Sequence, residues 1–278
     1  MPKNLNECVV AGKLTDKGCF LGKNRDRSYI PNVEIIHGVY PYLEYVILHD
    51  LDTGYMEGVN DTTGWAILNS ALLNGVDFGK NRSDEGKHVM LALLKCNTLE
   101  DILDSLTRKY PVYGNTIIAS QNSICILEAI PEQAKYKTYD ADGDYVVRTN
   151  HGVLVPDGGY KPTDSQNYLS STTRMASSEI IIDNSDNMDE FLSGLCYPIF
   201  GKYNLINPTR RSTNYMNTTA QIGIDMENKV FKFSNFPKKN VYKGVKKLGD
   251  KNIKPNYKIV IEEPKTPVNI PFLTWGLR

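Results

Sequence analysis

The sequence predicts an α+β protein built as a four-layer α/β/β/α sandwich, in which two antiparallel sheets pack face to face and helices cover both outer sides. Three observations lead there. Two blocks of strand-like segments alternate with two blocks of helical periodicity, Gly, Pro, Asn and Asp punctuate the strand blocks at short intervals, and no internal repeat or linker divides the chain.

The first block opens with a hairpin, Cys8 to Lys13 returning through Cys19 to Asp26. It continues through Val33 to Val39, Leu43 to Leu48, Gly54 to Gly58 and Trp65 to Leu72. Two helices follow, Lys87 to Lys95 and Leu99 to Lys109, the second capped by Asn97-Thr98, with Glu100 and Asp101 in its first turn. Its stripe of Leu99, Ile102, Leu103 and Leu106 is a core face. Strands resume at Thr116 to Ser120, Ser123 to Ile130, Tyr136 to Tyr139 and Asp144 to Thr149, with Asp140-Ala-Asp-Gly143 as the last hairpin turn. Helices are expected at Tyr168 to Ile182 and Met188 to Leu195, and a hairpin joins Thr218–Asp225 to Lys229–Ser234. The Lys-rich segment from Pro237 to Lys254 reads as a solvated loop and Tyr257 to Glu262 as an edge strand. The tail from Pro264, with Phe272, Leu273 and Trp275, is expected to pack as an arm across the body or onto a second copy, giving a homo-oligomer. A single domain over 8–278, with an arm at 237–278, and a propeptide or extension over 1–7 complete the expected organisation.

At 278 residues and 41% hydrophobic content the chain can bury a large core. Its 32 acidic and 32 basic residues cancel, which argues against a nucleic-acid-coating surface or a polybasic membrane contact, and no apolar run reaches the length of a membrane span. Five widely spaced cysteines without a CxxC pair suggest neither a disulfide framework nor a zinc site, so a reducing, cytoplasmic setting without metal or cofactor is expected.

Four places could carry chemistry. Cys8 stands at the head of the hairpin, with Lys23 and Asp26 on the returning strand. Asn69 interrupts an apolar strand, and an amide buried there must find partners or face a ligand. Thr149-Asn150-His151 delivers an amide and an imidazole to a strand end, and Ser170-Ser-Thr-Thr-Arg174 places a guanidinium early in a helix.

The order of these motifs, Cys8, then Lys23-Asn-Arg-Asp26, Gly58-Val-Asn60 with Asn69, Thr149-Asn150-His151 and Arg174, resembles the linear amide C–N hydrolases. That N-terminal-nucleophile group holds bile salt hydrolases, penicillin V acylases and acid-ceramidase-like enzymes. The Thr149–His151 element and the Leu127-Glu128 strand look closest to the isopenicillin N acyltransferases, and the resemblance runs from Cys8 to about Ser234. It implies a Cys8 nucleophile whose α-amine, freed by loss of residues 1–7, acts as base. Asp26 would hold the ammonium or thiol, Asn69 would form part of the oxyanion hole, Asn150 would steady the cysteine and the intermediate, and Arg174 would complete the polar network. The substrate would be a small-molecule amide.

Lys23 departs from the arginine usual in the bile salt and penicillin V enzymes; it keeps the charge without the planar fork, and it is expected to contact substrate. Arg25 or Arg27 could instead supply the guanidinium, although neither aligns with that position. His151 is expected to be structural or to touch substrate. Two other readings stay open: an inactive protein of this fold with a structural or interaction role, and, less well supported, a Cys-His protease using His151.

Overall fold

The computed structural model describes residues 6–29, 31–40, 43–72, 82–164, 166–196, 211, 216–235, 242–247 and 259–262. Alternation of apolar residues drives the first strands: β1 (Asn6–Thr15) and β2 (Gly18–Arg27) pair from Asn6↔Arg27 to Thr15↔Gly18. β11 (Asn217–Asp225) lies against β2, β12 (Val230–Asn235) and β13 (Tyr242–Lys247) follow, and β10 (Tyr145–Arg148) closes the other side against β1. This sheet is antiparallel throughout its described strands.

The second sheet is a meander of β3 (Val33–Tyr40), β4 (Leu43–Asp50), β5 (Met56–Asn60), β6 (Trp65–Ser70), β7 (Gly114–Ser120), β8 (Ser123–Ile130) and β9 (Gln133–Tyr139). A single parallel strand, β14 (Ile259–Glu262), edges it beside β3. The α-helices among the described residues are α1 (Ser83–Lys95), α2 (Leu99–Asp104), α3 (Gln166–Asp183) and α4 (Met188–Gly194).

Three apolar clusters fix four layers. Val10, Leu14, Leu21 and Ile222 from the first sheet meet Val46, Leu48, Leu68 and Ile126 from the second. On the far side of the second sheet, Val89, Met90 and Leu93 of α1 and Ile102 of α2 cover Ile47, Ile67 and Ile118. On the far side of the first, Ile182 of α3 and Phe191 of α4 cover Val9, Ala11 and Val147. The α/β/β/α sandwich is the arrangement that the alternating blocks predict, with one parallel pair added at an edge. Among the described residues no helix is long and apolar enough to cross a membrane.

Several boundaries move for local reasons. β5 starts at Met56 because Gly54, at φ 74°, closes a turn by donating its N–H to the Asp50 carbonyl at 2.6 Å. α2 begins as expected, its Thr98 hydroxyl accepting the Asp101 N–H at 3.1 Å. It then passes into a π-helical turn over Ser105–Lys109. The expected loop at Pro237–Lys254 contains β13, which pairs with β12 from Val230↔Lys247 to Asn235↔Tyr242. Lysines, which read as solvation in sequence, are also common on sheet edges, where they discourage further pairing. The proposed arm from Pro264 onward lies outside the described residues. Of the expected extension Met1–Glu7, Asn6 and Glu7 belong to β1, and Glu7 is buried.

The segment between β10 and α3 has little regular structure, and one carboxylate organises it. Glu128 of β8 is fully buried, pairs with Arg148 at 2.6 Å, and accepts the backbone N–H groups of Val153, Leu154 and Val155 at 2.8, 2.7 and 3.0 Å. Glu128→Ala should cost about 3–5 kcal/mol by leaving Arg148 and those amides without their acceptor. A lowered urea midpoint with new proteolytic cleavage near 151–160 would bear this out, and Glu128→Gln should lose less.

Candidate active site

The β1–β2 register sorts the polar residues onto two faces. Residues opposite one another in an antiparallel pair share a face. Cys8↔Arg25, Val10↔Lys23 and Asn6↔Arg27 therefore look toward the second sheet, whereas Glu7↔Asp26 and Val9↔Asn24 look toward α3 and α4.

On the inner face the Cys8 Sγ lies 3.6 Å from Arg27 Nη1. Lys23 Nζ pairs with Glu57 at 2.6 Å, and Arg25 Nη2 pairs with Asp50 at 2.5 Å. Glu57 also approaches Arg25 Nε at 3.6 Å and accepts the Asn69 N–H at 3.2 Å. Arg82, entering from the start of α1, bonds Glu85 at 2.7 Å, donates to Asn69 Oδ1 at 3.2 Å, and covers the Tyr55 ring at 4.3 Å. These groups surround a cavity of about 110 Å³ lined by Cys8, Lys23, Arg27, Tyr55, Asn69 and Arg82, among others. Gly114, at φ 118°, admits β7 to this wall, since a Cβ there would sit 2.8 Å from the Ser70 carbonyl oxygen and 2.9 Å from Asn69 Nδ2.

Burial lowers the Lys23 pKa, although Cys8 and Glu57 oppose the shift. For Arg27 burial acts in the same direction, but the neighbouring Cys8 and Asp50 outweigh it and raise the value. Burial alone would raise the Asp50 pKa; Arg25, Arg27 and the Thr53 N–H overcome it and hold the carboxyl at about 2.

On the outer face the Cys8 backbone N–H donates to Asn150 Oδ1 at 3.3 Å. Arg174 of α3 donates to the Cys8 carbonyl at 2.9 Å, to Glu7 Oε2 at 2.8 Å and to Asn150 Oδ1 at 2.9 Å. Asn150 is fixed from its other side by donating to the Ala71 carbonyl at 2.8 Å. Arg211 pairs with Glu7 at 2.8 Å, and the Tyr160 hydroxyl donates to Glu7 Oε1 at 3.1 Å. Asp26 accepts from the Thr218 hydroxyl at 2.6 Å, but its second oxygen stays 3.8 Å from Arg174 and 3.7 Å from Arg211. Burial raises the Asp26 pKa against both arginines, whereas at Glu7 the same arginines outweigh burial and lower it.

Cys8, Asp26, Asn150 and Arg174 therefore converge on the head of β1, and Lys23 and Asn69 join Cys8 in the cavity. His151 does not. Its Nδ1 lies 2.9 Å from the Ser171 hydroxyl and 3.2 Å from that of Thr149, its ring meets Tyr168 edge-on, and it is absent from the cavity wall. Burial, then Arg174, pushes its pKa down to about 4. Through these contacts His151 ties the chain just after β10 to α3, as the structural reading of this residue expects.

Sequence reasoning missed Glu7, Glu57, Arg82, Tyr160 and Arg211, and it set Arg27 aside. Arg27 was recoverable, because Lys23, Arg25 and Arg27 alternate along one strand and must share the cysteine's face. Arg82 and Arg211 carry no local signal.

No protein-family model matches the chain, and no curated protein does. Solved structures similar to it include penicillin V acylase from Agrobacterium tumefaciens, at 14% identity and a TM-score of 0.48, covering 85% of each chain. A mutant of the conjugated bile acid hydrolase from Clostridium perfringens aligns at 13% identity and a TM-score of 0.44, covering 91% of this chain and 99% of that one. A second variant of that hydrolase gives 13% and 0.42, with 85% and 92% covered.

Because the Asp50 pKa is depressed in the folded state, its contribution is present above the ordinary value of 3.8 and is lost as pH falls toward about 2. The shift corresponds to about 2 kcal/mol. Urea denaturation between pH 5 and pH 2 should show this slope, and Asp50→Asn should flatten it while lowering stability at neutral pH.

Proposed function

We propose that this chain is a cysteine amidohydrolase or acyltransferase that cleaves a linear amide C–N bond through an acyl-enzyme on Cys8, after removal of residues 1–7. The observation that carries this reading is the two-sided grip on Cys8. Its sulfur opens onto a cavity whose wall includes Lys23, Arg27, Asn69 and Arg82, and its N–H and C=O are held by Asn150 and Arg174 on the other face. A packing cysteine needs neither.

In self-cleavage the Cys8 sulfur attacks the Glu7 carbonyl carbon, and the thiol proton passes to the departing Cys8 nitrogen. Water then hydrolyses the thioester and releases the segment 1–7. In turnover the freed α-amine takes the thiol proton, the sulfur attacks the substrate carbonyl, and the C–N bond breaks as the proton moves to the leaving amine. Water, or a second amine, removes the acyl group.

The inner face supports the charge that develops. Among the described residues four cations, Lys23, Arg25, Arg27 and Arg82, stand against three carboxylates, Asp50, Glu57 and Glu85, so one further negative charge balances this set. Asn69 supplies an oxyanion donor in this reading: one amide hydrogen is held by Thr116 at 2.9 Å, and the other makes only a 3.4 Å contact with the Tyr113 carbonyl, which a developing oxyanion can displace.

One observation favours an unprocessed, non-catalytic role: Glu7 is buried and bound by two arginines and a tyrosine, which anchors the segment to be removed. Intact-mass measurement on the purified full chain separates the two. The catalytic reading expects a chain beginning at Cys8, and a Cys8→Ala variant that folds, keeps its full length and hydrolyses no acyl-amide probe. A wild-type chain that stays full length with an unreactive Cys8 would establish the alternative. Asn69→Leu should lower the chemical rate about 100- to 1000-fold, the scale of a lost preorganised donor; single-turnover kinetics alongside thermal melting would distinguish this from unfolding.

A further inference from the structure

We propose that the clamp formed by Arg174, Arg211 and Tyr160 is a carboxylate-binding site, occupied by Glu7 in the full-length chain and offered after processing to a ligand bearing a glutamyl-length carboxylate. The proposal rests on the removal of residues 1–7 argued above. It concerns the outer face of the sheet, which the cavity beside the Cys8 sulfur does not include.

Three donors from separate parts of the chain converge on one carboxylate: Arg174 at 2.8 Å, Arg211 at 2.8 Å and the Tyr160 hydroxyl at 3.1 Å. Both arginines are almost wholly buried, so solvent does not satisfy their charge. Arg211 is itself positioned by a hydrogen bond to the Ser170 hydroxyl of α3. With Glu7 present, two cations face two carboxylates among the described residues, Glu7 and Asp26. Without it, Asp26 is the carboxylate of that set left to the two guanidinium groups.

Asp26 cannot take over. Its free oxygen lies 3.8 and 3.7 Å from the two arginines, beyond hydrogen-bond reach, and its other oxygen is committed to Thr218. The Nε groups of Arg174 and Arg211 and Asp26 Oδ2 are buried without hydrogen-bond partners even while Glu7 is bound. An uncompensated buried guanidinium is costly enough that the vacated clamp demands an anion. Its planar donors suit a carboxylate, and Tyr160 adds a third bond that a spherical ion would not use as well. Because Arg174 also holds the Cys8 carbonyl at 2.9 Å, the anion would lie one residue from the nucleophile, beside its α-amine. That position fits an acyl donor with a terminal carboxylate, or the released peptide itself through Glu7.

The clamp can be tested without processing, in a full chain carrying Cys8→Ala together with Glu7→Ala. At constant ionic strength, acetate, propionate or glutarate should raise its thermal midpoint saturably, while acetamide and chloride should not. Cys8→Ala alone, with Glu7 still in place, should not respond, and adding Arg211→Met to the doubly substituted chain should abolish the response. Equal effects in all three proteins, or none in any, would overturn the site. If the doubly substituted chain fails to fold in plain buffer, its refolding yield with and without acetate becomes the readout, and no rescue overturns the proposal. Native mass spectrometry of processed wild type then separates the two sources. Retained Met1–Glu7 peptide identifies the product as occupant, exchange for added glutarate identifies an external acid, and a processed chain that holds neither overturns the proposal. A wild type that is never processed refutes the catalytic reading and, with it, the site's exposure to outside ligands; the acetate response reports on the clamp independently.

Discussion

Arg174 is the group on which the site depends. From one turn of α3 it reaches the Cys8 carbonyl, the Glu7 carboxylate and the Asn150 amide, and it stands near Asp26, so one guanidinium joins a helix to β1, β2 and the end of β10. A lysine could supply the charge but not three directed bonds in one plane. The helix is placed for this by ordinary apolar packing, Ile182 of α3 against Val9, Ala11 and Val147. Hydrophobic burial sets the distance between layers, and the arginine then fixes the geometry around Cys8.

Much of the fold was legible because apolar alternation and turn residues state strand boundaries directly. β8, from Ser123 to Ile130, and the hairpin of β1 and β2 sit where the pattern puts them. Strands whose residues are largely polar were harder. β13 carries three lysines and reads as a loop, and β9, exposed over Ala134–Thr138, is expected only from Tyr136 to Tyr139 although it begins at Gln133. Their full extent follows from a neighbouring strand with an edge to satisfy, which is information held elsewhere in the chain.

The site was half legible for a related reason. Cys8, Asn69, Asn150 and Arg174 stand out as polar residues in apolar or strand-end settings, and motif order linked them. Their partners do not announce themselves. Glu57 lies 34 residues from Lys23, and Tyr160 lies 153 from Glu7. A buried carboxylate and a solvated one look identical in sequence until the fold supplies a cation. His151 stands beside Asn150 in sequence, yet the chain turns it toward the Ser171 and Thr149 hydroxyls.

The pleat of β1 makes one residue serve two environments. Among the described residues, its sulfur faces a cavity whose cations exceed its carboxylates by one, and its backbone nitrogen faces a cluster in which Glu7 and Asp26 match two arginines. In the processed chain proposed here, the loss of Glu7 leaves the second side of Cys8 short of negative charge as well. Attack on a neutral amide creates that charge as an oxyanion, so burial, which makes each unpaired cation costly, also makes the transition state the better-matched species. With Glu7 in the clamp, Arg174 and Arg211 face two carboxylates among the described residues, and an unmatched buried cation appears only when the segment carrying Glu7 leaves.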